Sequence, residues 1–160
     1  MFSITLITVG KLKEKFYLSA AAEYEKRLKG YCQFQIIELP ECRLPDDPSL
    51  AEISAGLEKE ADQILAKLPK GCWFCILTPE GKLQSSEQLA TKLQDVKLAG
   101  KSSAYFLIGS SFGIADRLKK KADFKLSMSP MTFPHHLARI MVLEQIYRAE
   151  AIQAGSKYHK

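Results

Sequence analysis

The sequence alternates between two patterns. Five short apolar runs, residues 3–9, 32–39, 72–78, 103–108 and 124–128, are separated by segments whose apolar residues recur at helical spacing. Strands that are almost continuously apolar must be covered on both faces, and parallel sheets reach that state through helical crossovers. The rhythm therefore predicts an α/β fold, a mainly parallel sheet flanked by helices on both faces. One domain is expected over residues 1–160, with a single loop-rich stretch at residues 40–49 that carries three prolines.

The helical segments carry their own punctuation. Tyr17, Ala21, Tyr24 and Leu28 form one stripe, stopped by Gly30. Leu50, Ile53, Leu57, Ala61, Ile64 and Leu68 form a second, opened by Ser49 with Glu52 three residues on, a capping box. Ser85 and Gln88 open a third in the same way, ahead of Leu89 and Leu93. In the last helix Pro134 suits the first turn and Thr132 is the expected N-cap. Its apolar residues lie on two sides, Ala138/Val142/Ile146 and Ile140/Leu143/Tyr147. One side can face the sheet; the other is expected to face a second subunit, which predicts a homodimer.

Composition narrows the class. With 46% hydrophobic and 26% charged residues the chain is neither disordered nor fibrous. The longest apolar run, residues 72–77, is far short of the ~20 residues a membrane helix needs. Residues 2–9 read as a strand rather than a secretory leader, so a cytoplasmic location is expected. The net charge of +5 is uneven: +2 over residues 1–40, −4 over 41–69 and +7 over 70–160. A basic C-terminal half favours a polyanion, most often nucleic acid. Its densest cluster, Arg117-Leu-Lys-Lys-Lys121, suits either a solvated helix face or phosphate contacts. Cys72 and Cys75 make a CxxC, but on a strand residues three apart face opposite ways and no second pair stands at zinc spacing. Buried, reduced thiols are the expectation. His135 and His136 are adjacent and diverge on a helix, so no metal is expected.

Open parallel sheets bind ligands beyond the carboxyl ends of their strands. Three such ends are unusual here: Thr78-Pro-Glu-Gly-Lys82, Ile108-Gly-Ser-Ser-Phe-Gly113, and the nearly uncharged Ser127-Met-Ser-Pro-Met-Thr-Phe-Pro-His135. The second is neither GxGxxG nor a Walker A loop, and a plain tight turn would explain it equally well. Arg139 stands among apolar neighbours and must pair with a buried acid such as Glu144 or reach a ligand. On composition alone, Tyr158-His159-Lys160 reads as a frayed end.

The string from Leu126 through Thr132-Phe-Pro-His135 to Arg139, then Leu143-Glu-Gln-Ile-Tyr-Arg-Ala149 and the terminal Tyr158-His159, closely resembles the RlmH family. Val9-Gly-Lys-Leu-Lys-Glu-Lys15 and Ser85-Ser-Glu87 resemble it too, in order along the whole chain. These are SPOUT-class methyltransferases acting on N3 of a pseudouridine in 23S ribosomal RNA of assembled 70S ribosomes. The resemblance implies a trefoil-knotted α/β fold, a homodimer, and S-adenosylmethionine bound at Leu77, at Gly109, and at Met128, Ser129, Pro130, Met131, Thr132 and Phe133. It also turns the tail from a frayed end into a candidate: His159 and Tyr158 as proton acceptors over the pocket, with Arg139 as the cation. Ser110 departs from the pattern, since many relatives carry a second glycine there. Lys82 and the 117–121 cluster are the expected phosphate contacts. Two rival readings stay open, a nucleotide- or flavin-binding α/β enzyme using the Gly109–Gly113 loop, and a non-catalytic ribosome-associated RNA-binding protein.

Overall fold

The computed structural model describes all residues, Met1–Lys160. Ten elements follow one another: β1 (Ser3–Val9), α1 (Lys15–Leu28), β2 (Gln33–Leu39), α2 (Leu50–Lys67), β3 (Trp73–Leu83), α3 (Ser86–Leu98), β4 (Ser103–Ile108), α4 (Asp116–Lys121), β5 (Phe124–Ser127) and α5 (His135–Gln153). The five strands form one sheet in the order β2-β1-β4-β3-β5, every pair parallel. This is the α/β architecture the apolar runs predict. No helix is long and apolar enough to cross a membrane.

Each face of the sheet has its own core. Ile4, Leu6, Cys75 and Phe106 point toward α1, α3 and α5, where Leu28, Leu93 and Leu143 meet them. Ile7, Phe74, Ile76 and Leu107 point the other way, onto Ala61 and Ile64 of α2 and Leu118 of α4. Successive strand residues alternate between cores, which is why the runs read as unbroken hydrophobicity. The two cysteines obey the same alternation. Cys75 is buried against the first core and Cys72 packs on the second, both free. Burial pushes the Cys72 and Cys75 thiols up, so neither is a ready thiolate.

Both capping boxes form as read, Ser49 with Glu52 and Ser85 with Gln88. The start of α5 differs. Pro134 itself is the cap residue, with extended backbone and no side-chain cap, and Thr132 lies outside the helix. A proline biases the residue before it toward extended backbone, so the helix begins only after Pro134. The second apolar side of α5 is also covered more from within than expected. The Tyr147 ring meets Tyr24, Tyr31 and Tyr158, and Ile140 packs on the core, so α1 and the tail occupy much of the surface expected to face a partner.

Strand β3 runs five residues past its expected end at Thr78. It pairs with β5 up to Leu77↔Leu126, leaves the ladder, and returns with Lys82↔Leu126 and Leu83↔Ser127. Gly81 sits in that excursion. A Cβ there would fall 2.7–2.8 Å from main-chain atoms of Lys125 and Leu126, so only glycine lets the two backbones meet.

Candidate active site

The carboxyl ends of β3, β4 and β5 converge on one crevice of about 360 Å³. That volume lies within the range of small-molecule sites. Leu77, Gly109, Met128, Ser129, Pro130, Met131, Thr132 and Phe133 all line it, so every residue expected to hold a cofactor faces one space. The sheet explains this. The three strands are neighbours in the order β4-β3-β5, and parallel pairing puts their ends on one edge.

Each wall has its own local cause. In the β4 wall, Gly109 folds tightly against the loop it opens, where a Cβ would lie 2.6 Å from the Gly113 carbonyl oxygen and from Ile114 Cγ1. Gly113 closes that loop with φ of +101°, and its N–H donates to the Ser110 carbonyl at 2.9 Å. In the β3 wall, Glu80 accepts from the Thr78 hydroxyl and from Lys119 Nζ of α4 at 2.7 Å. These bonds, Lys119's first, hold the Glu80 carboxyl well below the usual range, at about 2. The carboxylate therefore keeps its charge, and the wall its tie to α4, until pH falls far below neutrality. In the β5 wall, the Met131 N–H donates to Ser129 Oγ at 3.0 Å, a local turn that shapes the uncharged loop.

Glu80 also lines the crevice, as do Lys119 and His135, which the sequence marked only as part of the basic cluster and of the His135-His136 pair. The only signal for Glu80 is its place two residues after a strand-end threonine; Lys119 arrives from α4, and it is its pairing with Glu80 that no local feature announces.

The three residues expected to do chemistry stand outside the crevice lining of their own chain. Arg139 is 4% exposed; its guanidinium donates to Glu38 Oε2 at 2.5 Å and to the Gly10 carbonyl at 2.9 Å. Its acid is thus Glu38 of β2, not Glu144, which lies on the same helix and binds Arg148 instead. Tyr158 donates to Glu144 Oε2 at 2.8 Å, a bond that raises the phenol's pKa. His159 is gripped on both sides, its Nδ1 3.1 Å from an Arg148 nitrogen and its Nε2 2.7 Å from Glu87 Oε1. Guanidinium offers only donors, so Nδ1 accepts and Nε2–H donates to Glu87. The tail is therefore a built structure, not a frayed end.

Removing Glu38 leaves a buried guanidinium without its anion. Glu38→Ala is expected to cost about 2 kcal/mol in denaturant unfolding, below the figure for fully buried pairs because the Glu38 side chain is 37% exposed. A loss under about 0.5 kcal/mol would show that the pair contributes little.

The basic cluster divides in the fold. Arg117 is held by Glu58 and Asp62 of α2, and Lys119 by Glu80. Lys82, Lys120 and Lys121 form no ion pair within the chain. No group of side chains capable of holding a metal is present. The Gly109–Gly113 loop leads into an α4 of six residues that opens on Asp116, an unsuitable terminus for the phosphate of a nucleotide or flavin.

A family model described as "Predicted SPOUT methyltransferase" matches residues 2–159. The chain belongs to the SPOUT methyltransferase family. It is 46% identical over 158 residues to a "Ribosomal RNA large subunit methyltransferase H" of Alkaliphilus oremlandii, covering 99% of each chain. It is 45% identical over 158 residues to a protein of the same name from Clostridium acetobutylicum, again over 99% of each chain. A SPOUT methyltransferase requires a methyl donor, and the crevice at the β3, β4 and β5 ends is where the fold can hold one. The fit has support within the crevice wall: the buried Ser110 hydroxyl, in the loop lining it, has no partner in the protein.

Proposed function

We propose that the chain is an S-adenosylmethionine-dependent methyltransferase that modifies N3 of a pseudouridine in 23S ribosomal RNA, acting on assembled 70S ribosomes in the cytoplasm. One observation carries the reading: in a SPOUT chain whose relatives are named for large-subunit ribosomal RNA, Leu77, Gly109 and the six residues from Met128 to Phe133 line a single crevice. The resemblance further implies that the segment beyond β5 threads a loop to form a knot.

The cofactor supplies an activated methyl on a sulfonium, so the protein's task is alignment and proton handling. In this reading main-chain groups at Leu77, at Gly109 and in the 128–133 loop hold the donor. The target N3–H must lose its proton as the N–CH3 bond forms and the S–CH3 bond breaks. Tyr158 and His159, with Arg139 as the cation, are assigned to the nucleotide side. They stand outside the crevice of their own chain, which favours a homodimer in which the tail serves the crevice of a second copy. Exposed apolar residues near the start of α1 and of α5 support such a pairing: Phe16 is 66% exposed, and Leu137 and the crevice-lining Met131 are exposed as well.

Methyl transfer from labelled S-adenosylmethionine to intact 70S ribosomes and to isolated subunits tests the assignment. Label is expected in 23S RNA, greatest with intact ribosomes and falling with added salt, because the chain carries only +5. Label in protein, or none in RNA, would defeat the assignment.

A further inference from the structure

We infer that the Ser110 hydroxyl is a hydrogen-bond partner of the bound cofactor; the inference rests on the cofactor reading above. Ser110 directly follows Gly109 at the end of β4 and is 2% exposed. Its carbonyl is used by the Gly113 N–H, and Ser110 and Gly113 form an isolated antiparallel bridge, so the loop needs its backbone. The hydroxyl is another matter. Its Oγ is sealed from solvent and has no donor or acceptor within reach. A buried hydroxyl left unpaired destabilises a fold, and native proteins hold few of them. Glycine or alanine would keep the same backbone bonds without that cost. A serine in the wall of a ligand crevice has a place to regain its bond, because its hydroxyl reorients about χ1.

The molecule supplies its own control. Thr8 Oγ1 is the one other buried side-chain oxygen or nitrogen with no partner. Thr8 stands beside Ile108 in the β1–β4 register, close along the same sheet edge, but does not line the crevice. The two orphans differ in their access to a ligand.

The experiment measures S-adenosylhomocysteine binding by calorimetry and Tm without ligand, for the intact protein, Ser110→Ala, Ser110→Gly and Thr8→Val. Ser110→Ala and Thr8→Val each remove an unpaired hydroxyl, and each is expected to raise Tm by about 2–4 °C. Ser110→Ala and Ser110→Gly are expected to weaken ligand binding about five- to ten-fold, whereas Thr8→Val leaves it unchanged. A more stable protein that binds less well is an outcome a purely structural serine cannot give. Unchanged affinity in both Ser110 variants overturns the inference, as does a joint fall of Tm and affinity in Ser110→Ala. If the intact protein binds no S-adenosylhomocysteine, the cofactor reading fails first and the inference with it.

Discussion

Deleting residues 158–160 is expected to lower methyl transfer by about 10³-fold or more, a loss typical of a missing proton-handling group. Binding of S-adenosylhomocysteine should stay within about three-fold of the intact chain, because rate and ground-state binding are separate losses. The geometry supports both halves. Tyr158 and His159 bind Glu144, Arg148 and Glu87 and are not among the crevice-lining residues, so their removal leaves the crevice walls in place. Within their own chain neither is poised to accept a proton. The phenol is held protonated by Glu144, and the Nδ1 lone pair is filled by Arg148. A role in the reaction thus requires the tail to meet another crevice. Mixing the truncated chain in equal parts with a second chain whose crevice is disabled tests this. Random pairing makes half the dimers mixed, each with one complete site of two, so about a quarter of normal activity should return. No recovery would place the tail's contribution within its own chain, and turnover within ten-fold of normal after truncation would remove it from the mechanism.

Gly109→Val provides the disabled crevice and is the second large effect. A single added carbon would already stand 2.6 Å from a carbonyl oxygen and from a packed isoleucine methylene, closer than carbon atoms approach. Valine adds two methyls beyond that. The strain cannot pass into β4, whose six residues are all buried between the two cores, so the loop from Ser110 to Ile114 must yield. Loss of S-adenosylhomocysteine affinity by about 100-fold or more is expected, with the sheet retained by circular dichroism and a lower Tm. Affinity within about two-fold of the intact protein would show that this wall does not touch the ligand.

Local features of the sequence predicted the structure well, and features made by distant partners did not. Both capping boxes involve groups three residues apart, so the string alone contains the whole device. The crevice walls were legible because strand ends of a parallel sheet share an edge whatever their sequence. The extra length of β3 was hidden, since Lys82 and Leu83 are strand residues only by pairing with Leu126 and Ser127. Arg139 shows the same limit. Glu144 is an acid on the same helix, but Glu38 is 101 positions away and reaches the guanidinium only after β2 and α5 have packed. The basic run at residues 117–121 looked like one patch, yet two of its four cations are spent on Glu58, Asp62 and Glu80. Ser110 was legible as a hydroxyl in a turn; that it lacks a partner depends on every atom around it.

The contact at Gly81 limits how such a site can diversify. There the β3 wall rests on the main chain of the strand that leads into the β5 wall, with no side chain between them. A spacing set by two touching backbones cannot be widened or narrowed by exchanging residues, because there is no side chain to exchange. In this chain the separation of the two walls is thus fixed almost as a casting. New substrates would have to be won on the tail and the outer loops, where substitutions still have latitude.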